Sequence, residues 1–275
     1  MPNLANHQSN EYTKLLLEGD SGSGKTGALA SLVKAGYKLR ILDMDNGLDS
    51  LKSFVMRECP DKVGNVEFRT LRDDYTSSAA GPKVAKPKAF VEALKMLDSW
   101  KYDTVDLGDP GAWGPDTILV VDSFTFLSDS AFEWAKGLNP TAKDPRQWYG
   151  AAQEAVESVL ALLTSGNFKS NVIVISHVKY VDNPDGTRKG YPTAIGSALS
   201  PVIPRYFNSV ALCQTSGSGK RTIQTAATAM IDLKNSKPFD MAKSYPIETG
   251  LAEYFGVLRG SSPSKPKSVT LVKRA

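Results

Sequence analysis

The sequence predicts an α/β fold with a mostly parallel central sheet flanked by helices. Three observations predict it. Short apolar runs alternate with helical segments from residue 13 to residue 176. A glycine-rich loop joins the first run directly to a helix. Beyond residue 178 the pattern turns to alternating, paired segments, so antiparallel strands are expected toward the C-terminus.

In chain order, Thr13 to Glu18 reads as a strand ending at the glycine loop. Lys25 to Ala35 follows as a helix, with Leu29, Leu32 and Val33 on one face and Gly36 as its stop. Lys38 to Asp43 and Val66 to Leu71 read as strands, with a helix over Leu48 to Met56 between them. Asp73 to Lys88, rich in Ser, Ala, Gly, Pro and Lys, reads as a flexible surface loop. Phe90, Val91, Leu94 and Leu97 mark one face of the next helix, and 101–117 reads as an irregular insertion or hairpin. Ile118 to Val121 is a buried strand, Phe124 to Lys136 a helix and 139–146 a loop. Ala152, Val156, Val159, Leu160 and Leu163 form the stripe of an amphipathic helix, and Asn171 to Ser176 is another strand. A hairpin is expected over 178–193 around Asn183-Pro184-Asp185-Gly186, paired strands over 208–214 and 221–229, and a last helix over 248–258. Trp134, Trp148, Tyr206 and Phe207 read as core.

Of the 275 residues, 41% are hydrophobic and 23% charged, an ordinary balance for one large domain. Residues 1–11 read as a disordered lead-in, 12–259 as the core and 260–275 as a basic disordered tail. The net charge is +4, and the last fifteen residues hold Lys265, Lys267, Lys273 and Arg274 with no acid, so the remainder is balanced. Nucleic-acid attraction must then come from local patches or from this tail. No apolar run approaches the ~20 residues that span a bilayer, and the polar start lacks a signal-peptide core. The two cysteines, Cys59 and Cys213, show no metal or redox spacing, so a cytoplasmic setting is expected. With only His7 and His177 present, a His-rich metal site is excluded.

Gly19-Asp20-Ser21-Gly22-Ser23-Gly24-Lys25-Thr26, followed by Gly27, fits the P-loop pattern in full between a strand and a helix. Its glycines let successive N–H groups point into one concavity, and the helix N-terminus adds its dipole. The expected ligands are ATP and Mg²⁺. Lys25 would reach the β- and γ-phosphates, and Thr26 would offer its hydroxyl to the metal. A partial repeat at Ser216-Gly217-Ser218-Gly219-Lys220 lacks the leading glycine and has Arg221 where Ser or Thr belongs, so it reads as a hairpin turn. Ile118-Leu119-Val120-Val121-Asp122 would deliver a carboxylate beside the phosphates, where Asp122 supports Mg²⁺. Three acids, Asp43, Asp45 and Asp49, follow the second strand, and one of them can activate water. Spacing alone does not choose among them, and a solvated turn with an acidic helix start explains them equally well. His177 ends a strand beside that of Asp122, where a polar group can touch the γ-phosphate.

The order of these motifs resembles the RecA-like ATPases. That family has an acidic cluster after the second strand, here Asp43-Met44-Asp45-Asn46-Gly47-Leu48-Asp49, then a strand end like Val120-Val121-Asp122-Ser123. A polar pair comes next, here Ser176-His177, then a mobile DNA-contacting loop, here 178–196, and finally a segment like Lys234-Asn235-Ser236-Lys237-Pro238-Phe239. The resemblance covers about residues 13–240. It implies a RecA-like P-loop NTPase core, Asp45 as the water-activating carboxylate, and His177 as the γ-phosphate sensor. It also implies a homo-oligomer, ring or filament, in which Lys234 or Lys237 reaches the ATP of a neighbouring subunit. Asp stands at position 45 where the recombinases have Glu, and Ser-His replaces their Asn-Gln. A compact core with a short basic tail is similar in layout to the Sak-type single-strand annealing ATPases of bacteriophages.

Lys179, Tyr180, Arg188, Lys189 and Tyr191 of the 178–193 hairpin interleave cations with aromatics, a combination that holds single-stranded DNA without sequence preference. The same residues are ordinary for an exposed hairpin. The expected activity is therefore ATP hydrolysis coupled to single-stranded DNA annealing or exchange. The competing readings are a RecA-fold motor, such as a helicase or packaging component, and a nucleotide switch that does not act on DNA.

Overall fold

The computed structural model describes residues 11–79 and 81–260. The lead-in and tail expected at the termini lie outside them, apart from Glu11 and Gly260. Strand β1 (Lys14–Gly19) is buried along its whole length. It leads through the glycine loop into α1 (Lys25–Ala28) and α2 (Ala30–Lys34). The single helix expected over 25–35 is thus interrupted at Leu29, whose N–H turns to the Thr26 carbonyl at 3.3 Å. Next come β2 (Lys38–Asp43), α3 (Asp49–Glu58) and β3 (Val66–Thr70).

The expected loop over 73–88 instead holds a small antiparallel pair, β4 (Asp74–Thr76) and β5 (Lys83–Lys86). Its Ser-, Ala- and Pro-rich composition concealed two short alternating stretches. In α4 (Ala89–Asp98) the buried face is Ala89, Phe90, Ala93, Met96 and Leu97, whereas Leu94 is exposed. The smaller Ala93 faces the sheet, so the expected stripe is rotated. Another small pair, β6 (Lys101–Tyr102) and β7 (Val105–Asp106), occupies the irregular insertion. Strand β8 (Gly114–Asp122) begins earlier than its apolar run.

Helices α5 (Phe124–Leu138) and α6 (Arg146–Thr164) are followed by β9 (Ser170–Ser176) and the hairpin β10 (Val178–Asp182) and β11 (Arg188–Pro192). The chain closes with β12 (Ser209–Thr215), β13 (Arg221–Gln224), β14 (Ser244–Pro246) and α7 (Gly250–Leu258). The second strand of the late pair, expected to run to residue 229, stops at Gln224.

The main sheet runs β14-β13-β12-β1-β9-β8-β2-β3. Strands β12 to β3 in that order are parallel, and β13 and β14 are antiparallel additions. Core residues divide between its two faces. Leu16, Val121, Val174 and Leu212 pack with α4, α5 and α6, while Leu15, Leu17, Val120 and Ile175 pack with α1, α2, α3 and α7. The chain leaves β1 toward one face and β8 toward the other. A crevice therefore opens at the strands' C-terminal ends, where α/β sheets place ligands. Register aligns these ends: Asp43 pairs with Asp122, Asp122 with Ile175, and Glu18 with Ser176.

Candidate functional site: a phosphate cradle at the strand ends

Gly22 and Gly24 have φ of 76° and 95°, the left-handed region that a glycine enters without strain. Gly19 is needed for a different reason. A Cβ there would lie 2.5 Å from both the Cys213 carbonyl oxygen and Ser23 Oγ. These turns wrap the loop around a cavity of about 280 Å³. Ser21, Gly22, Gly24, Lys25, Thr26 and Gly27 form its floor, and Asp45, Asp122 and His177 form part of its wall. Asp45, Asp122 and His177 thus converge on the glycine loop.

Lys25 Nζ donates to the carbonyls of Gly19 at 2.8 Å and Asp20 at 2.9 Å, so the ammonium lies folded onto its own loop. Burial lowers its pKa, opposed by the negative field of nearby groups including Asp122, Asp20 and Asp45. Thr26 Oγ1 donates to Asp122 Oδ2 at 2.8 Å. Burial pushes the Asp122 carboxyl up to about 7; Asp45 and Asp43 push the same way, and the Thr26 bond and Lys25 oppose them. The peptide bond between Asp122 and Ser123 is cis.

Contacts separate the three acids. Asp43 is buried and already engaged, since Oδ1 accepts from Gly47 N at 3.2 Å and Oδ2 from Thr70 Oγ1 at 2.7 Å. Asp49 starts α3 and lines a groove between that helix and β3, away from the phosphate loop. Asp45 alone of the three lines the cavity, and its Oδ1 is buried with no hydrogen-bond partner among the described residues. A Cβ on Gly47 would approach that oxygen to 2.7 Å, so a larger residue there would push the Asp45 carboxylate from its position. Burial raises the Asp45 pKa, with Asp43 adding to it and Arg72 and Lys25 opposing.

His177 is half-buried, and burial followed by the Lys25 charge lowers its pKa. Its N–H and Nδ1 both meet Thr125 Oγ1 at 3.2 Å, and its ring meets Phe126 edge-on at 6.4 Å.

Other candidates lie elsewhere. Lys234 pairs with Val210 at the start of β12. Lys237 Nζ lies near Gly260, next to Arg259, which reaches Pro115 and Asp116 at the start of β8. Lys237 therefore lies toward the N-terminal strand ends, away from its own phosphate loop, while Lys234 sits level with Leu16, midway along β1. The hairpin residues divide between two faces. Register puts Lys179, Lys189 and Tyr191 on one face and Tyr180 with Arg188 on the other, where Tyr180 packs against the core. Lys189 pairs with Asp232 at 2.9 Å, and Arg188 sits 5.0 Å over the Tyr180 ring. The Ser216–Lys220 repeat is a turn between β12 and β13, closed by Ser216 N to Lys220 O at 2.8 Å.

Arg72, Phe54 and Arg221 also stand at the site without a motif that marks them. Arg72 Nη1 donates to the Asp45 carbonyl at 3.0 Å, while Phe54 and Arg221 line the cavity itself. Strand pairing and helix packing bring them in from distant segments.

The residues fit a magnesium–nucleotide complex. An unpartnered carboxylate oxygen, a glycine cradle with no room for side chains at Gly19, and a Thr–Asp pair beside a buried lysine are what triphosphate and Mg²⁺ require. Among the described residues no three His, Cys, Asp or Glu side chains form a self-sufficient metal cluster.

The fold and this cradle define a P-loop ATPase. Residues 11–236 match the family described as AAA domain, so the chain belongs to that family. No curated protein matches it. Among solved structures, a similar chain is an ATPase from the type III secretion system of pathogenic bacteria, with a TM-score of 0.43 and 11% identity. The match covers 75% of this chain and 52% of that one, so the chain spans about half the length of that ATPase.

Proposed function

We infer that this ATPase acts on single-stranded DNA, in annealing or exchange of the kind found in phage recombination, and that nucleotide state controls the DNA contact. One observation carries this reading. The β10–β11 hairpin is closed at its base by Thr193 N donating to the His177 carbonyl at 2.7 Å, so the residue on the cavity wall is also the hairpin's anchor. A shift of His177 toward a γ-phosphate moves the strand that carries Lys179. In this reading the loop N–H groups and Lys25 bind and orient the phosphates, Thr26 and Asp122 hold Mg²⁺, and Asp45 accepts a proton from the attacking water. Bound Mg²⁺ supplies positive charge to the phosphate oxygens. Lys234 or Lys237 serves the cradle of the next subunit in a homo-oligomer.

ATP turnover measured with and without single-stranded DNA tests this. Stimulation by single strands, abolished when Lys179, Lys189 and Tyr191 are replaced together by alanine, is expected. Turnover indifferent to DNA would contradict the reading and favour a motor or a nucleotide switch with another partner.

A further inference from the structure

The β12–β13 hairpin turns back just above the phosphate loop. Arg221, the first residue of β13, pairs with Thr215 and accepts from Ile247 N through its carbonyl at 3.3 Å, so its backbone is fixed on both sides. A Cβ on Gly24 would lie 3.2 Å from Arg221 Cδ and 3.3 Å from Ile247 Cγ1. The arginine stem therefore lies against the loop residue that opens α1. The side chain lines the phosphate cavity together with Lys25, Thr26 and Phe54. It also lines a small adjoining pocket past Gly27 and Ala28, whose lining includes Phe54 and the carboxylates Glu58 and Glu248. A Cβ on Gly27 would come within 2.9 Å of the Phe54 ring, which closes the other side of this pocket.

Among the described residues no carboxylate lies within 4.0 Å of the Arg221 guanidinium, Glu248 included. A charged side chain on the wall of an anion cradle, fixed at its root and unpaired at its tip, is placed for an anionic ligand. Its position selects which anion. Gly24 and Gly27 frame the N-terminus of α1, where backbone N–H groups meet the α- and β-phosphates, whereas Asp45 and the Lys25 tip mark the γ end.

We propose that Arg221 is a nucleotide-binding residue that clamps the α- and β-phosphates from within the same subunit. The proposal rests on the phosphate-cradle reading. It gives the β12–β13 hairpin a function and makes nucleotide capture independent of a neighbouring chain.

The test is calorimetric titration of the full chain with Mg·ATP and with Mg·ADP, for wild type, Arg221→Ala, Arg221→Lys and Lys25→Ala. Arg221→Ala is expected to weaken both nucleotides by the same factor, about tenfold or more, as loss of a charge-assisted contact requires. Arg221→Lys keeps the charge without the planar fork and should fall between. Because the guanidinium makes no ion pair among the described residues, Arg221→Lys, which keeps the stem, should melt without nucleotide at the wild-type temperature. A loss confined to ATP would place the contact at the γ-phosphate and overturn the proposal. Unchanged affinity in Arg221→Ala, with Lys25→Ala disabled, would overturn it and leave the cradle standing. Wild-type affinity in folded Lys25→Ala would overturn both.

Discussion

Glu18 stands one residue before the phosphate loop, buried, with Oε2 lacking a hydrogen-bond partner among the described residues. Burial pushes its carboxyl up to about 8, and Asp232 adds to the shift. The folded chain thus keeps a proton that the unfolded chain, with an ordinary glutamate, releases near pH 4.3. Below that value both states are protonated and the group costs nothing. As pH rises toward about 8 the unfolded state gains by ionising, and folding loses up to about 1.4 kcal/mol per pH unit. Glu18→Gln removes the ionisation. Its melting temperature relative to wild type should therefore climb between pH 5 and 8 and level off above, as thermal denaturation across pH would show. A constant difference over that range would refute the shift. Legibility at this scale was uneven. Gly19 to Thr26 and Asp122 were readable because their chemistry is local to one loop and one strand end. The choice among Asp43, Asp45 and Asp49 was not, because spacing does not say which carboxylate a turn consumes; Gly47 N and Thr70 consume Asp43.

At the scale of elements, most strands were readable from apolar runs, since a strand buried on both faces has few alternatives. The failures were short or rotated elements. Strand β14 has three residues, too few for a pattern, and the α4 stripe depended on Ala93 rather than Leu94. Hairpin β10–β11 shows how register refines a sequence list, because its alternation splits five candidates into two faces. Lys179→Ala should weaken single-strand binding and flatten its salt dependence, by about 0.7 in the log–log slope if one phosphate contact is lost. Arg188→Ala should have a smaller effect, since Arg188 lies over Tyr180 on the inward-packing face. Fluorescence anisotropy over a salt series measures both; equal losses would contradict the face assignment. In the sheet, Leu16 is fully buried among both strands and helices of one core. Leu16→Ala should cost roughly 2–5 kcal/mol in denaturant unfolding.

For the whole molecule, the proposed trans contact depends on where the lysines lie relative to the cradle. The phosphate cradle sits at the C-terminal strand ends, Lys234 is level with the middle of β1, and Lys237 lies toward the other strand ends. A lysine there serves a phosphate only if copies stack head to tail, a heterologous contact that closes into rings or extends as filaments. Mixing Lys234→Ala with Lys25→Ala chains should then restore part of the turnover that each lacks alone, because one interface would combine an intact cradle with an intact lysine. No restoration at any ratio would exclude the trans contact.

Whether the cradle hydrolyses ATP with Asp45 as its base can be read from one comparison. ATP affinity and phosphate release should be measured side by side for wild type and Asp45→Asn. The amide fills the same space beside Gly47 but cannot take a proton from water. Affinity within about twofold of wild type and phosphate release slowed by about 10²-fold or more are expected. Wild-type phosphate release from Asp45→Asn would contradict Asp45 as the base.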